Sequence, residues 1–256
     1  MFNKILIIYK ENQTKKHLAT VDKVKAILKN ADMVKITDLK EQHFKDKDLI
    51  ITIGGDGTFI KAASFITSQY ILGINSEPEF SEGALTSINE SEIDFLNALL
   101  KDNFKVKEIQ RIQVLKNNLS LKQLALNEVY IGTLYQFDTS RYKIKLDNHE
   151  EEHRSSGVLI ATPSGSGAWY KSAGGEPFQD KRNIIRFLVR EPFFGRLFKP
   201  KLIQGEITVD QSLFLESRRL DNALLALDSN ITYPLKFGDK IEVKLSDQPL
   251  NVVIFK

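Results

Sequence analysis

Short apolar runs alternate with helical spacings through the first hundred residues. Ile5-Leu6-Ile7-Ile8 predicts a buried strand over 4–9. Leu18, Val21, Val24, Ile27 and Leu28 then recur at helical spacing, with Thr14 placed to cap that helix. Leu49-Ile50-Ile51-Thr52-Ile53 predicts a second strand, and Gly54-Gly55-Asp56-Gly57-Thr58 follows it at once. A helix is predicted through Phe59, Ala62, Ala63 and Phe65, then a strand through Ile71-Leu72-Gly73-Ile74. Asn89, with Glu92 three residues on, opens a further predicted helix carrying Ile93, Leu96, Leu99 and Leu100. This alternation predicts a parallel sheet covered by helices, a Rossmann-like α/β domain over 1–102.

After about Asn103 the period changes. Segments near 106–115, 123–132, 141–147, 157–162, 203–209, 212–217, 223–228 and 240–245 read as strands between polar or Gly-containing turns. One helix is predicted around 180–189. Residues 103–256 are therefore expected to form a second, mostly antiparallel β domain.

Apolar residues make up 42% and charged residues 27%, an ordinary globular composition. Thirty-six Lys and Arg against 33 Asp and Glu leave a net charge of +3, which argues against a dedicated nucleic-acid binder. The chain has no Cys, which excludes disulfides, a thiolate nucleophile and sulfur-based metal sites. The apolar run after Lys4 is too short for a signal core or a membrane span, and no Arg-rich presequence precedes it. A cytoplasmic protein with no membrane partner is expected.

Three segments carry candidate chemistry. Three glycines after a buried strand let backbone N–H groups approach an anion, and the helix N-terminus behind them favours negative charge. Asp56 is electrostatically wrong for a mere phosphate cradle, but it suits a group that takes a proton from a hydroxyl nucleophile or helps hold magnesium. A tight strand-to-helix turn capped by Asp56 and Thr58 is the alternative. The second segment, 155–169, is a strand that runs into Thr162-Pro163-Ser164-Gly165-Ser166-Gly167-Ala168 and ends at the only Trp, Trp169. It offers close approach, hydroxyl donors and a stacking face, or else simply a long turn beside a buried Trp. The third is Asn127-Glu128, adjacent polar residues in an apolar strand context. They could bond ribose hydroxyls or a base edge, or mark a strand end. His17, His43, His149 and His153 show no ligand spacing and are expected on solvated surfaces, as is a Glu150-Glu151-Glu152 turn.

In this order and spacing these segments resemble the NAD kinase family, and the resemblance covers most of the chain. The G-G-D-G-T turn, the Asn127-Glu128 pair, the T-P-S-G-S-x-A-aromatic loop and Ser172-Ala173-Gly174-Gly175 all match. Gly73-Ile74-Asn75-Ser76-Glu77-Pro78, Ser81-Glu82-Gly83, Ser155-Ser156-Gly157, Val189-Arg190-Glu191-Pro192-Phe193 and Ala226-Leu227-Asp228 are similar to the mitochondrial type. Ser156, Gly167, Trp169 and Ala84 depart from the common bacterial pattern, which has Asp, Thr, Tyr and Phe there. The resemblance implies phosphoryl transfer from ATP or polyphosphate, with Mg2+, to the adenosine 2′-hydroxyl of NAD. It implies Asp56 as proton acceptor and Gly54, Gly55, Gly57, Thr58 and Asn75 at the donor phosphates. It places Asn127, Glu128, Ser156, Thr162, Ser164, Gly167, Ala168 and Trp169 around NAD, and it suggests at least a homodimer. Asp228 is a candidate for ordering the final turn of the site. The chain closes soon after its last predicted strand, so the family's C-terminal return over the first domain is expected to be short or missing. A lipid or sphingoid-base kinase sharing G-G-D-G-T, and a non-catalytic dinucleotide sensor, are the rival classes.

Overall fold

In the computed structural model, residues 2–11, 14–179 and 183–255 are described. The chain divides into two units, 1–109 with 248–256, and 110–247.

The first unit runs β1 (Ile5–Tyr9), α1 (Lys15–Ile27), β2 (Asp32–Lys35), β3 (Leu49–Ile53), α2 (Asp56–Ala63), β4 (Tyr70–Asn75), β5 (Ile88–Asn89), α3 (Phe95–Leu99) and β6 (Lys105–Ile109). Its strands β2-β1-β3-β4 are parallel and adjacent in that order, and β5 also pairs with β4. Every residue of β3 is buried, as expected for a parallel strand covered on both faces. Thr14 caps α1 by accepting from His17 N at 3.2 Å, as predicted. The buried face of α1 is turned from the expected one, because Leu18 is 46% exposed while His17 is fully buried. Asn89 and Glu92 do exchange hydrogen bonds, but they close a turn, and regular helix starts only at Phe95.

The second unit continues β7 (Ile112–Lys116), β8 (Leu119–Ser120), β9 (Glu128–Thr133), β10 (Ser140–Leu146), β11 (His149–Ser155), β12 (Val158–Ala161), α4 (Trp169–Ser172), β13 (Ile185–Val189), β14 (Gln204–Ile207), β15 (Leu213–Ser217), β16 (Ala223–Leu227), β17 (Ile231–Leu235) and β18 (Lys240–Leu245). They form two antiparallel sheets, β11-β10-β15-β18-β7-β8 and β14-β13-β12-β9-β16-β17. The inward positions of both sheets share one apolar core, including Val114, Val129, Ile144, Ile160, Phe187, Leu215, Leu225 and Val243. That is a sandwich.

Further expectations change. His153, expected on a solvated surface, is 1% exposed with its Nε2 2.7 Å from Glu151 Oε1. The helix predicted around 180–189 is a strand from Ile185, whose alternate residues Ile185, Phe187 and Val189 are buried, while 180–182 lie outside the described residues. Glu150, Glu151 and Glu152 form no solvated turn but sit in β11, where Lys145 and Lys143 face Glu150 and Glu152 across the ladder. Residues 103–109 and those from 248 on, which the pattern places in the second domain, belong to the first unit, where 105–109 are β6. Residues 250–254 form β19 (Leu250–Ile254), which inserts between β4, in parallel, and β6, antiparallel. A C-terminal return is thus present, and short. Its pairing covers what would be the open edge of β4, and its Leu250, Val252 and Val253 are buried.

Candidate functional site

In the first unit the residues of interest lie where β3 passes into α2. Gly54 has φ +151°, and a Cβ there would sit 2.5 Å from Thr58 Oγ1. Packing therefore demands glycine at that position. Gly57 differs, because nothing lies within 4 Å of the place a Cβ would occupy. Its side of the turn is open, and in the first turn of α2 the Gly55 carbonyl accepts from Thr58 N (3.0 Å) and Phe59 N (3.4 Å), which leaves the amides ahead of them without an intrahelical acceptor. Thr58 is 1% exposed, and its hydroxyl has no hydrogen-bond partner.

Asp56 does not cap α2. Its half-buried carboxylate accepts from Leu85 N (2.9 Å) and Ala84 N (3.1 Å), one bond to each oxygen. Each oxygen keeps a second lone-pair direction, so the group is aimed without being saturated. Asn75, at the end of β4, organises the following loop, donating to Ser81 O (2.9 Å) and accepting from Glu77 N (3.2 Å). Beside it, the buried His17 ring bridges Ser76 Oγ (2.8 Å) and Lys10 O (3.1 Å), contrary to the solvated position expected for that histidine. Burial lowers the pKa of the ring.

In the second unit the residues gather on the outer face of the sheet that holds β9 and β12. Val129 and Ile131 point into the sandwich core, so Glu128 and Tyr130 point away from it. Asn127 precedes the strand. Its Oδ1 is buried without a partner, as is Oε2 of the 5%-exposed Glu128. Burial, and then the charge of Asp228, push the Glu128 carboxyl up to about 7. Burial pushes Asp228 up to about 6, against the pull of three backbone N–H bonds.

The small-residue loop folds back on this turn. Thr162 is fully buried, and its hydroxyl donates to Leu126 O at 2.6 Å and accepts from Gly165 N at 3.0 Å. Ser164 Oγ lies 3.0 Å from Thr162 Oγ1. A Cβ on Gly165 would fall 2.1 Å from Asn127 O, so only glycine allows this approach. Gly167 and Ala168 are exposed, and Trp169 is half-buried. The Trp169 ring packs on Tyr130 (centroids 5.1 Å apart) with the Arg190 guanidinium 5.3 Å from its centroid. Ser156 belongs to the same group, with its carbonyl accepting from Tyr130 Oη (3.0 Å) and its N–H donating to Arg190 O (2.9 Å).

Among the described residues no group of three or more His, Cys, Asp or Glu could hold a metal ion, and no helix is long and apolar enough to cross a membrane. The family description "ATP-NAD kinase N-terminal domain" matches residues 3–103, and "ATP-NAD kinase C-terminal domain" matches 126–255. The chain belongs to the NAD kinase family. The NAD kinase of Clostridium beijerinckii is 36% identical over 243 residues, 91% of this chain and 82% of that one. A probable NADH kinase of Oryza sativa is 28% identical over 279 residues, covering 98% and 85%. The fold of a yeast NADH kinase complexed with NADH superposes with TM-score 0.80 at 18% identity, covering 99% and 84%.

Within this NAD kinase chain Asp228 was already a sequence candidate for ordering the last turn of the site, while three contributors, Gly165, Tyr130 and Arg190, were missed. Asp228 and Gly165 were visible as motif members. Their roles depend on contacts across 38 to 102 residues, which no local pattern reports.

Proposed function

We propose that this NAD kinase family member transfers the γ-phosphoryl group of ATP to the adenosine 2′-hydroxyl of NAD. The 2′-oxygen attacks phosphorus, the bond from phosphorus to the β,γ-bridging oxygen breaks, and ADP leaves. The proton of the hydroxyl passes to an Asp56 carboxylate oxygen. The observation that carries this reading is Asp56 itself, a half-exposed carboxylate aimed by two backbone amides at the mouth of a glycine turn. Little covalent chemistry falls to the protein, so positioning and charge neutralisation dominate.

The open side at Gly57 and the partnerless hydroxyl of Thr58 support donor phosphates at this turn. Asn75 would serve there by shaping the loop that faces Gly55. A magnesium ion fits as a companion of the nucleotide, since such ions usually take one or two carboxylates and leave the rest to phosphates. Asp56 is the carboxylate at hand, and the ion would supply neutralisation of the triphosphate charge. On the acceptor side, two buried oxygens without partners, on Asn127 and Glu128, call for a ligand rich in donors. Ribose hydroxyls and the adenine amine are such donors. Trp169, Ser156 and the exposed Gly167-Ala168 stretch would line the rest of the NAD pocket, while Thr162 and Ser164 act by holding the turn.

Polyphosphate as an alternative donor, a homodimeric or larger assembly and a cytoplasmic setting complete the proposal. The test is product formation by purified protein with ATP and magnesium, offered either NAD or a diacylglycerol or sphingoid base. NADP from the first arm alone is expected. A phosphorylated lipid, or no product in either arm, overturns the reading.

A further inference from the structure

The turn 126–128 carries the two side chains assigned to the acceptor, and its backbone is held in an uncommon way. It has three N–H groups and three carbonyls, and two residues far away in sequence meet all six. Asp228 Oδ2 accepts from Leu126 N (2.8 Å), and Oδ1 accepts from Asn127 N (2.7 Å) and Glu128 N (3.1 Å). The Asp228 N–H donates to Glu128 O at 2.9 Å. Thr162 supplies the rest, its hydroxyl donating to Leu126 O (2.6 Å) and its N–H to Asn127 O (2.9 Å).

We propose that Asp228 is a positioning residue of the acceptor site, presetting the 126–128 turn so that Asn127 and Glu128 present their free oxygens before any ligand arrives. This rests on the reading of those two residues as acceptor contacts. Three converging N–H groups need an acceptor with two oxygens and no donor, which is a carboxylate and not an amide. Bonds to a charged acceptor are also the strong ones, which makes the turn stiff. The backbone reinforces the arrangement. Asp228 and Ser229 adopt φ +50° and +51°, left-handed values that fold the chain back under residue 128. From that turn Ser229 Oγ donates to Glu128 Oε1 at 3.3 Å, so the same segment orients the glutamate side chain. A group preset in this way need not be ordered when the ligand binds, which favours affinity for NAD without touching it.

Two measurements test the assignment. Hydrogen exchange on the ligand-free wild-type protein should find the amides of Leu126, Asn127 and Glu128 protected, with NAD adding little. Free exchange of these amides until NAD is added would mean that the ligand builds the turn, and would overturn the proposal. Asp228→Asn places an N–H against the converging amides. It should raise KM for NAD about tenfold or more, with kcat and KM for ATP within about threefold. A folded variant with unchanged KM for NAD, or with both KM values raised alike, refutes a positioning role. If Asp228→Asn does not fold, the exchange pattern of the wild type decides alone. Absence of any NADP from the wild type would sink the proposed activity instead, and leaves the exchange result readable.

Discussion

Glu128→Gln probes the electrostatics of the acceptor turn directly. The carboxyl is 5% exposed. Its rise from 4.5 to about 7, caused by burial first and Asp228 second, corresponds to roughly 3 kcal/mol at about 1.4 kcal/mol per unit. In the unfolded chain Glu128 ionises near 4.5, and in the folded protein only near 7. Its contribution to stability is therefore complete below the lower value, declines as pH rises, and is lost above the higher one. Glutamine cannot ionise, so the variant escapes this loss. The stability of Glu128→Gln relative to wild type should rise by about 2–3 kcal/mol between pH 5 and pH 8.5. Urea unfolding at the two pH values measures it, followed by the emission of Trp169, which lies in the same unit as Glu128. The other carboxylates titrate in both proteins and largely cancel in the difference. A difference that does not change with pH would show that Glu128 is ionised and solvated in the folded state.

Asp56→Asn keeps the shape and one acceptor oxygen but cannot take the proton. Turnover should fall about 10²–10⁴-fold with only a modest change in NAD binding, and a variant above roughly a tenth of the wild-type rate would leave Asp56 a mere tether for residues 84–85. Gly57→Ala meets no neighbouring atom, so it should stabilise the protein by up to about 1 kcal/mol while raising KM for ATP severalfold. Unchanged KM for ATP would move the donor phosphates away from that turn. Titration with NAD should change Trp169 emission saturably and ATP alone much less, because Trp169 is only half-buried and follows the exposed Gly167 and Ala168. Flat corrected emission through a saturating titration removes Trp169 from the pocket.

The central strands of the parallel sheet were legible because they are buried on both faces, whereas the half-exposed β2 carries no such run and was not read. Runs such as 49–53 need no partner to be recognised. The sandwich was legible only in part. Strand β11 reads as a solvated acidic turn in isolation, and becomes a strand because β10 sets lysines opposite its glutamates. Strand β19 pairs with residues about 180 positions earlier at β4, so no local period assigns it to the first sheet. His17 misled for a similar reason. A histidine at the polar start of a helix looks solvated until a serine 59 residues on and the Lys10 carbonyl satisfy both ring nitrogens.

The site shows the same division between what a motif names and what makes it work. The motif G-G-D-G-T names Asp56, but the amides that aim its carboxylate come from Ala84 and Leu85, nearly thirty residues away. Asn127-Glu128 can be read from sequence as a ligand-bonding pair or as a strand end, and its backbone is outside the sheet at Asn127. What distinguishes it from an ordinary strand end is that two oxygens stay buried and unpartnered after folding has met every backbone group around them. Leaving a buried acceptor unsatisfied costs about 1–3 kcal/mol. A ligand carrying hydroxyls and an amine removes that cost on binding. The acceptor site is therefore distinguished less by the polar residues it contains than by which of their atoms the fold leaves free.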